Sequence, residues 1–259
     1  MLEEKFGIPV FMNNDGDLFV YGEAIGGLLP HVNSLLEQAG SPKRYRNLFG
    51  VTLGTGFGGG IVRDGALFLG DNSMAGEVWL LRNRLDPEAN AEEGACIRAV
   101  RRVYAELAGL PIDEVPTPKE LCEIGIGTRP GHQAAALEAF RRLGIVAGDA
   151  MANALTLIDG LAVIGGGISG ASELFLPALV GELNSTYTTP DGRCFRRLAS
   201  PVFNLEDPAQ LDTFLKGATK TLQVPHSTRT VDYDPLQRLG DTRSARLGAQ
   251  RRIEQRRPQ

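Results

Sequence analysis

The stretch that most constrains this chain is residues 49–76, FGVTLGTGFGGGIVRDGALFLGDNSMAG. A short apolar, β-branched segment over 49–53 breaks into Gly54-Thr55-Gly56-Phe57-Gly58-Gly59-Gly60, and Ile61-Val62 resumes as strand. Arg63-Asp64-Gly65 then reads as a tight turn before 66–69, since Asp-Gly between apolar runs favours the positive φ of a hairpin turn. Glycines leave backbone N–H groups uncovered and let an anion approach closely. Gly54, Gly56 and Gly59 satisfy G-x-G-x-x-G, but the dinucleotide reading needs a helix directly afterwards. Ile-Val-Arg-Asp-Gly is strand and turn, so a Rossmann oxidoreductase is disfavoured. Two readings of the glycines stay open: a purely structural hairpin and a phosphate-binding turn.

At 259 residues the chain has room for one large domain or two small ones with a sizeable core. A hydrophobic content of 42% and a charged content of 22% are those of an ordinary globular protein. The net charge of −4 argues against a general nucleic-acid binder. Cys96, Cys122 and Cys194 are scattered without a CxxC pair, which points to a reducing cytoplasm and to neither a disulfide framework nor a zinc knuckle. No apolar run reaches membrane-spanning length, and the N-terminus lacks a signal-peptide pattern. Small molecules are the expected partners.

In chain order, Val10-Phe11-Met12 reads as a short buried strand leading into Asn13-Asn14-Asp15-Gly16-Asp17. A helix over 17–27 places Leu18, Tyr21, Ala24 and Ile25 on one face, and a second over 32–39 stops at Gly40. Beyond the hairpin, helical spacing runs over 93–108, over 116–126 and, most strongly, over 133–157, where Leu137, Phe140, Gly144, Ala147, Met151 and Ala154 form one stripe. Residues 161–164 read as a parallel strand entering Gly165-Gly166-Gly167 and a helix over 171–183, an α/β pattern. Glycines at the carboxyl end of such a strand sit where open α/β sheets take ligands, although a triple glycine equally serves a tight turn. A strand at 201–203, a helix around 209–217 and a strand at 229–231 follow. The arginine-rich, polar end after Arg243 reads as a solvated tail.

Four pieces, in order and at the right spacing, resemble the ROK family (repressors, open reading frames and sugar kinases). They are Asn14-Asp15 with Glu23 down the next helix, LGTGFGGGIVRDGALFLG, Ala75-Gly76-Glu77, and LAVIGGGIS. The resemblance extends to about Gly240 and implies an α/β chain of the actin-like ATPase (ribonuclease H-like) fold. Residues 1–46 would be a remnant of the small N-terminal domain, 47–242 the large domain, and 243–259 a basic tail. It implies ATP-dependent phosphorylation of a hexose, of glucokinase type, with ATP and Mg²⁺, a hexose or aminosugar substrate, and a cytoplasmic homodimer. Asp15 would be the general base, drawing the proton from the attacking hydroxyl. Asn14 and Glu77 would bond sugar hydroxyls, with Glu92 or its neighbour Glu93 as a further sugar ligand. Gly54, Thr55, Gly56 and Gly58 would meet the ATP phosphates, and Gly165, Gly166 and Gly167 the adenosine side. Taken alone, Asn-Asp-Gly is also common turn and cap chemistry.

The departures from the family pattern carry expectations of their own. The family's Asp-x-Gly-Gly-Thr phosphate loop does not occur, so a truncated chain with impaired turnover is expected. Leu80 stands where the family often has a histidine, which obscures the sugar preference. No cysteine or histidine lies between Arg84 and Ala95, so no structural zinc is expected. The C-terminal end is polar where the family has an apolar helix. An alternative function is the sugar-sensing part of a ROK transcriptional repressor, and a third is a non-catalytic, poorly soluble open reading frame.

Overall fold

The structure, a computed structural model, describes residues 2–10 and 12–244. Three helices come first: α1 (Leu2–Phe6), α2 (Asp15–Gly26) and α3 (Leu28–Gln38). A meander follows, β1 (Leu48–Leu53), β2 (Phe57–Arg63) and β3 (Ala66–Leu67), then α4 (Ile97–Ala108), α5 (Pro118–Gly125) and the long α6 (Gln133–Ile158). Next, β4 (Leu161–Gly165) leads through a 3-10 turn, Gly167–Ala171, into α7 (Ser172–Leu183). The remaining elements are β5 (Thr186–Thr188), β6 (Cys194–Arg196), β7 (Val202–Asn204), α8 (Pro208–Lys216), β8 (Lys220–Gln223), β9 (Thr230–Tyr233) and β10 (Leu239–Arg243).

One sheet of order β3-β2-β1-β4-β10-β7 organises these elements. β1, β2 and β3 run antiparallel in turn, whereas β4, β10 and β7 add in parallel on the other side of β1. Helices cover both faces, so the central strands are apolar on successive residues and do not alternate. Phe49, Val51 and Leu53 pack with Phe140 and Met151 of α6 and with Phe175 of α7. Leu48 and Val163 face the other way, onto Val20 of α2, Val32 and Leu36 of α3 and Phe214 of α8. The small residues of α6 suggest close packing against a sheet, but Gly144 and Gly148 sit directly against the helix α7 instead.

Several elements differ from the sequence-based expectation. Among the described residues the strand expected at 10–12 is not seen: Val10 and Met12 lie in irregular backbone with Met12 86% exposed and no described strand pairs with them, while Phe11 lies outside the described residues. α2 starts two residues early because the Asn14 side chain caps it, accepting from the Gly16 N–H at 2.8 Å. Its inward face is Gly16, Asp17 and Val20, while Leu18, Tyr21 and Ile25 are exposed. α3 begins at Leu28, where the Glu23 carboxylate accepts the Leu28 N–H at 2.8 Å. β2 begins at Phe57, so Gly58 to Gly60 belong to the strand and not to the turn.

β5, β6, β8 and β10 carry no strong strand signal. β10, with the sequence LGDTR, is strand because β4 and β7 pair with it on both sides. The solvated tail expected from Arg243 lies, from residue 245 onward, outside the described residues.

β10 also buries Asp241 completely, and neither carboxylate oxygen has a hydrogen-bond partner among the described residues. Desolvation pushes this carboxyl up to about 8, with the nearby Thr242 amide opposing the rise and Glu206 adding to it. Between the unfolded value near 4 and that folded value, the unfolded chain releases a proton that the folded chain keeps, so stability falls as pH rises. Asp241→Asn removes this titration. Its stability relative to the parent is expected to grow by about 1.4 kcal/mol per pH unit from pH 5 to pH 7 in urea unfolding. Parallel pH–stability curves for the two proteins would contradict this account.

Candidate active site

The site depends on how closely α2 can approach β2. A Cβ on Gly60 would stand 2.6 Å from Val20 Cγ1 and 2.8 Å from Gly16 O, and one on Gly16 would stand 2.8 Å from Gly59 O. Such distances exclude side chains, so only glycine lets the start of α2 reach the strand. That contact delivers Asn14 and Asp15 beside the β1–β2 turn. Asp15 is exposed and its Oδ1 accepts the Gly16 N–H at 2.9 Å.

An open cleft of about 570 Å³ gathers Asn14, Asp15, Gly54, Thr55, Gly56, Gly58, Glu77, Glu92 and Gly166, together with Thr52 and Trp79. Thus residues more than seventy positions apart share one surface. Glu77 lies just before a 3-10 turn, Val78–Leu80, and accepts a short hydrogen bond from Trp79 Nε1. Glu92 accepts the Phe57 N–H at 3.1 Å with Oε2 and Arg98 Nη2 at 3.1 Å with Oε1. The carbonyls of Gly54 and Thr55 accept from the Ile97 N–H at 2.8 Å and from Arg98 Nη1 at 3.1 Å.

Three expected site residues fall elsewhere. Glu93 does not line the cleft: it pairs with Arg102 at 3.1 Å and Arg98 at 3.3 Å. Those hydrogen bonds, from Arg102 first and Arg98 second, hold its carboxyl below the usual range. Gly165 is buried, and its missing side chain makes room for the Phe19 ring, 2.6 Å from where a Cβ would be. Gly167 opens on a separate hollow of about 290 Å³ beside Lys119, Cys122, Glu123 and Ile168. Glu23 also stays outside the cleft, holding the Leu28 amide and a short hydrogen bond from Ser244. Leu80, at 61% exposure, does not line the cleft either.

Sequence reasoning passed over three contributors. Trp79 orients Glu77, and Arg98 grips the turn. Asp17 is buried with Oδ1 unpartnered among the described residues, and burial first, then the charge of Glu77, raises its pKa. A larger hollow of about 860 Å³ lies around Phe49, Ile61, Phe68 and Leu157 and shares Glu77 with the cleft. It is mainly apolar and brings no comparable set of carboxylates and glycine amides together.

A mixed sheet with a meander on one side and parallel strands on the other, with glycine turns after β1 and β4, is the architecture of the actin-like ATPases. The chain matches the ROK family over residues 1–192 and belongs to it. It is similar to a glucokinase from Parabacteroides distasonis, at 51% identity and a TM-score of 0.82, covering 98% of this chain and 68% of that one. A ROK family glucokinase from Streptomyces griseus, solved in complex with glucose and AMPPNP, matches at 25% identity and a TM-score of 0.52, covering 71% and 60% of the respective chains. A Streptomyces coelicolor glucokinase is 28% identical over 193 residues, which is 68% of this chain and 56% of that protein. The chain therefore spans little more than half the length of that curated relative.

Gly166 is the position in this cleft least able to change. Its φ of +87° and ψ of 174° lie in a region essentially confined to glycine, and a Cβ would stand 2.3 Å from Leu53 O. Gly166→Ala is expected to lower stability by about 2–3 kcal/mol in chemical unfolding, a loss that an unchanged midpoint would contradict.

Proposed function

We propose that these residues carry the sugar- and ATP-handling cleft of an ATP-dependent hexose kinase of glucokinase type. The observation that carries this reading is the convergence of Asp15, Asn14, Glu77 and Glu92 with the glycine turn Gly54–Gly56 in one cleft. Carboxylates and an amide suit the hydroxyl edge of a sugar, and side-chain-free amides suit a phosphate chain. The Streptomyces griseus relative, solved with glucose and AMPPNP, supports both ligand classes.

In this reading Asn14, Glu77 and Glu92 orient the sugar. Asp15 accepts the hydroxyl proton as that oxygen bonds to the γ-phosphorus, while the bond from the γ-phosphorus to the bridging oxygen breaks and ADP departs. The amides of the glycine turn steady the phosphates. Mg²⁺ enters as part of the ATP substrate and neutralises phosphate charge. A hexose or an aminosugar fits equally, and cytoplasmic homodimers accord with the family. An exposed carboxylate beside both sugar ligands and a phosphate turn favours the kinase over the sugar-sensing repressor.

Glucose titration, alone and with Mg-AMPPNP, and an ADP-release assay test the proposal together. Asp15→Asn is expected to cut turnover by about 10²–10⁴-fold while changing glucose affinity only a few-fold. Glu77→Ala is expected to weaken glucose binding by about tenfold or more. Unaltered turnover in Asp15→Asn, or absence of both glucose and AMPPNP binding, would overturn the reading.

A further inference from the structure

Arg98 stands on the first turn of α4, has no part in the proposed sugar and ATP contacts, and ties Glu92 to the glycine turn. Its Nη1 donates to Thr55 O at 3.1 Å, and its Nη2 donates to Glu92 Oε1 at 3.1 Å and Glu93 Oε1 at 3.3 Å. The adjacent Ile97 N–H donates to Gly54 O at 2.8 Å. The start of α4 thus holds two successive carbonyls of the glycine turn.

A planar trans peptide points its C=O and N–H in opposite directions. The Gly54 carbonyl shares a peptide unit with the Thr55 N–H, and the Thr55 carbonyl shares one with the Gly56 N–H. Fixing both carbonyls toward α4 therefore directs both N–H groups away from it. Neither N–H donates to an acceptor among the described residues, although both residues line the cleft. Two neighbouring free N–H groups are an anion cradle. Glu92 completes the clasp, because its other oxygen accepts the Phe57 N–H at 3.1 Å, just past the turn. The gap is also tight: a Cβ on Gly56 would stand 2.7 Å from Glu92 Oε2.

We propose that Arg98 is a positioning residue: it aims the Gly56 N–H at the nucleotide phosphates and, through Glu92, sets the spacing between the phosphate turn and the sugar carboxylate. Glu92 and Glu93 largely offset its charge, so it acts by geometry and not as a phosphate ligand. A planar fork is needed to reach a carbonyl and a carboxylate at once, and a lysine ammonium does not reproduce it. The clasp stands on the hydrogen bonds alone; only the identity of the anion rests on the kinase reading.

The test compares Arg98→Ala, Arg98→Lys and, as a control one helical turn away, Arg102→Ala, which removes the same charge beside Glu93. Amide hydrogen exchange at Phe57 is expected to rise about tenfold or more in both Arg98 variants and to stay unchanged in Arg102→Ala. Mg-AMPPNP binding is expected to weaken about tenfold in Arg98→Ala and to be only partly restored in Arg98→Lys. Should Arg98→Ala fail to fold, Arg98→Lys carries the same comparison. Unchanged exchange at Phe57 removes the clasp, and raised exchange with unaltered AMPPNP affinity removes the positioning role. A parent chain that binds neither AMPPNP nor glucose defeats the kinase reading instead, a result distinct from both.

Discussion

The contact on which the rest of the structure depends is the approach of α2 to β2. Gly16 on the helix and Gly60 on the strand meet at distances that admit no side chain on either, with Gly16 set against the Gly59 carbonyl. Because that contact is backbone against strand, the helix cannot rotate to present its larger apolar residues. Asp17 and Val20 are driven inward, and Leu18, Tyr21 and Ile25 are left outside. The same contact sets the height of Asn14 and Asp15 above the β1–β2 turn, so the candidate base and the candidate phosphate turn are positioned by one packing event.

Within the cleft the carboxylates are held differently. Glu77 is oriented by Trp79, and Glu92 spans the Phe57 amide and Arg98. Among the described residues Asp15 bonds only its own helix start, which leaves most of its acceptor capacity toward the cleft. A ligand carboxylate that is already held loses little freedom when a sugar arrives, whereas a proton acceptor needs an uncommitted oxygen. Arg98 belongs with this arrangement: its single guanidinium joins Glu92, the proposed sugar ligand, to the proposed phosphate turn.

The far side of the sheet shows how distant segments hold this arrangement. β10 fills the space between β4 and β7, and Ser244, just beyond it, bonds Glu23 of α2. Tyr45 OH donates to Arg238 O at 2.5 Å, and Arg238 in turn pairs with Asp234 at 3.0 Å and bonds Ser41 Oγ at 3.1 Å. Residues near 41–45 are thereby anchored to residues near 234–238. Asp241, whose carboxylate has no hydrogen-bond partner among the described residues, is the cost of this insertion, a carboxyl buried where the strand must pass.

Much was legible in the residues themselves. The Asp64-Gly65 turn, the apolar β1, the small-residue stripe of α6 and the strand before Gly165 follow from local propensity and periodicity, and each forms. Asn14, Asp15, Glu77 and the Gly54–Gly56 turn follow from motif order, and all reach the cleft. The choice between Glu92 and Glu93 could not be made that way: they are adjacent and chemically identical, and Arg102 on the next helix draws Glu93 outward. Nor could the inward face of α2, since hydrophobic periodicity favours Leu18 and Tyr21 while a glycine-lined contact favours small backbone surfaces. β10 has almost no strand signal of its own, and its neighbours on both sides make it one. The long helices, the apolar strands β1 and β4, the glycine turns and the order of the motifs could be read from the residues alone, because these rest on bonded geometry and short-range periodicity. Which carboxylates share the cleft, and which cation clasps it, emerged with the packed fold, because those outcomes depend on contacts between segments far apart in the chain.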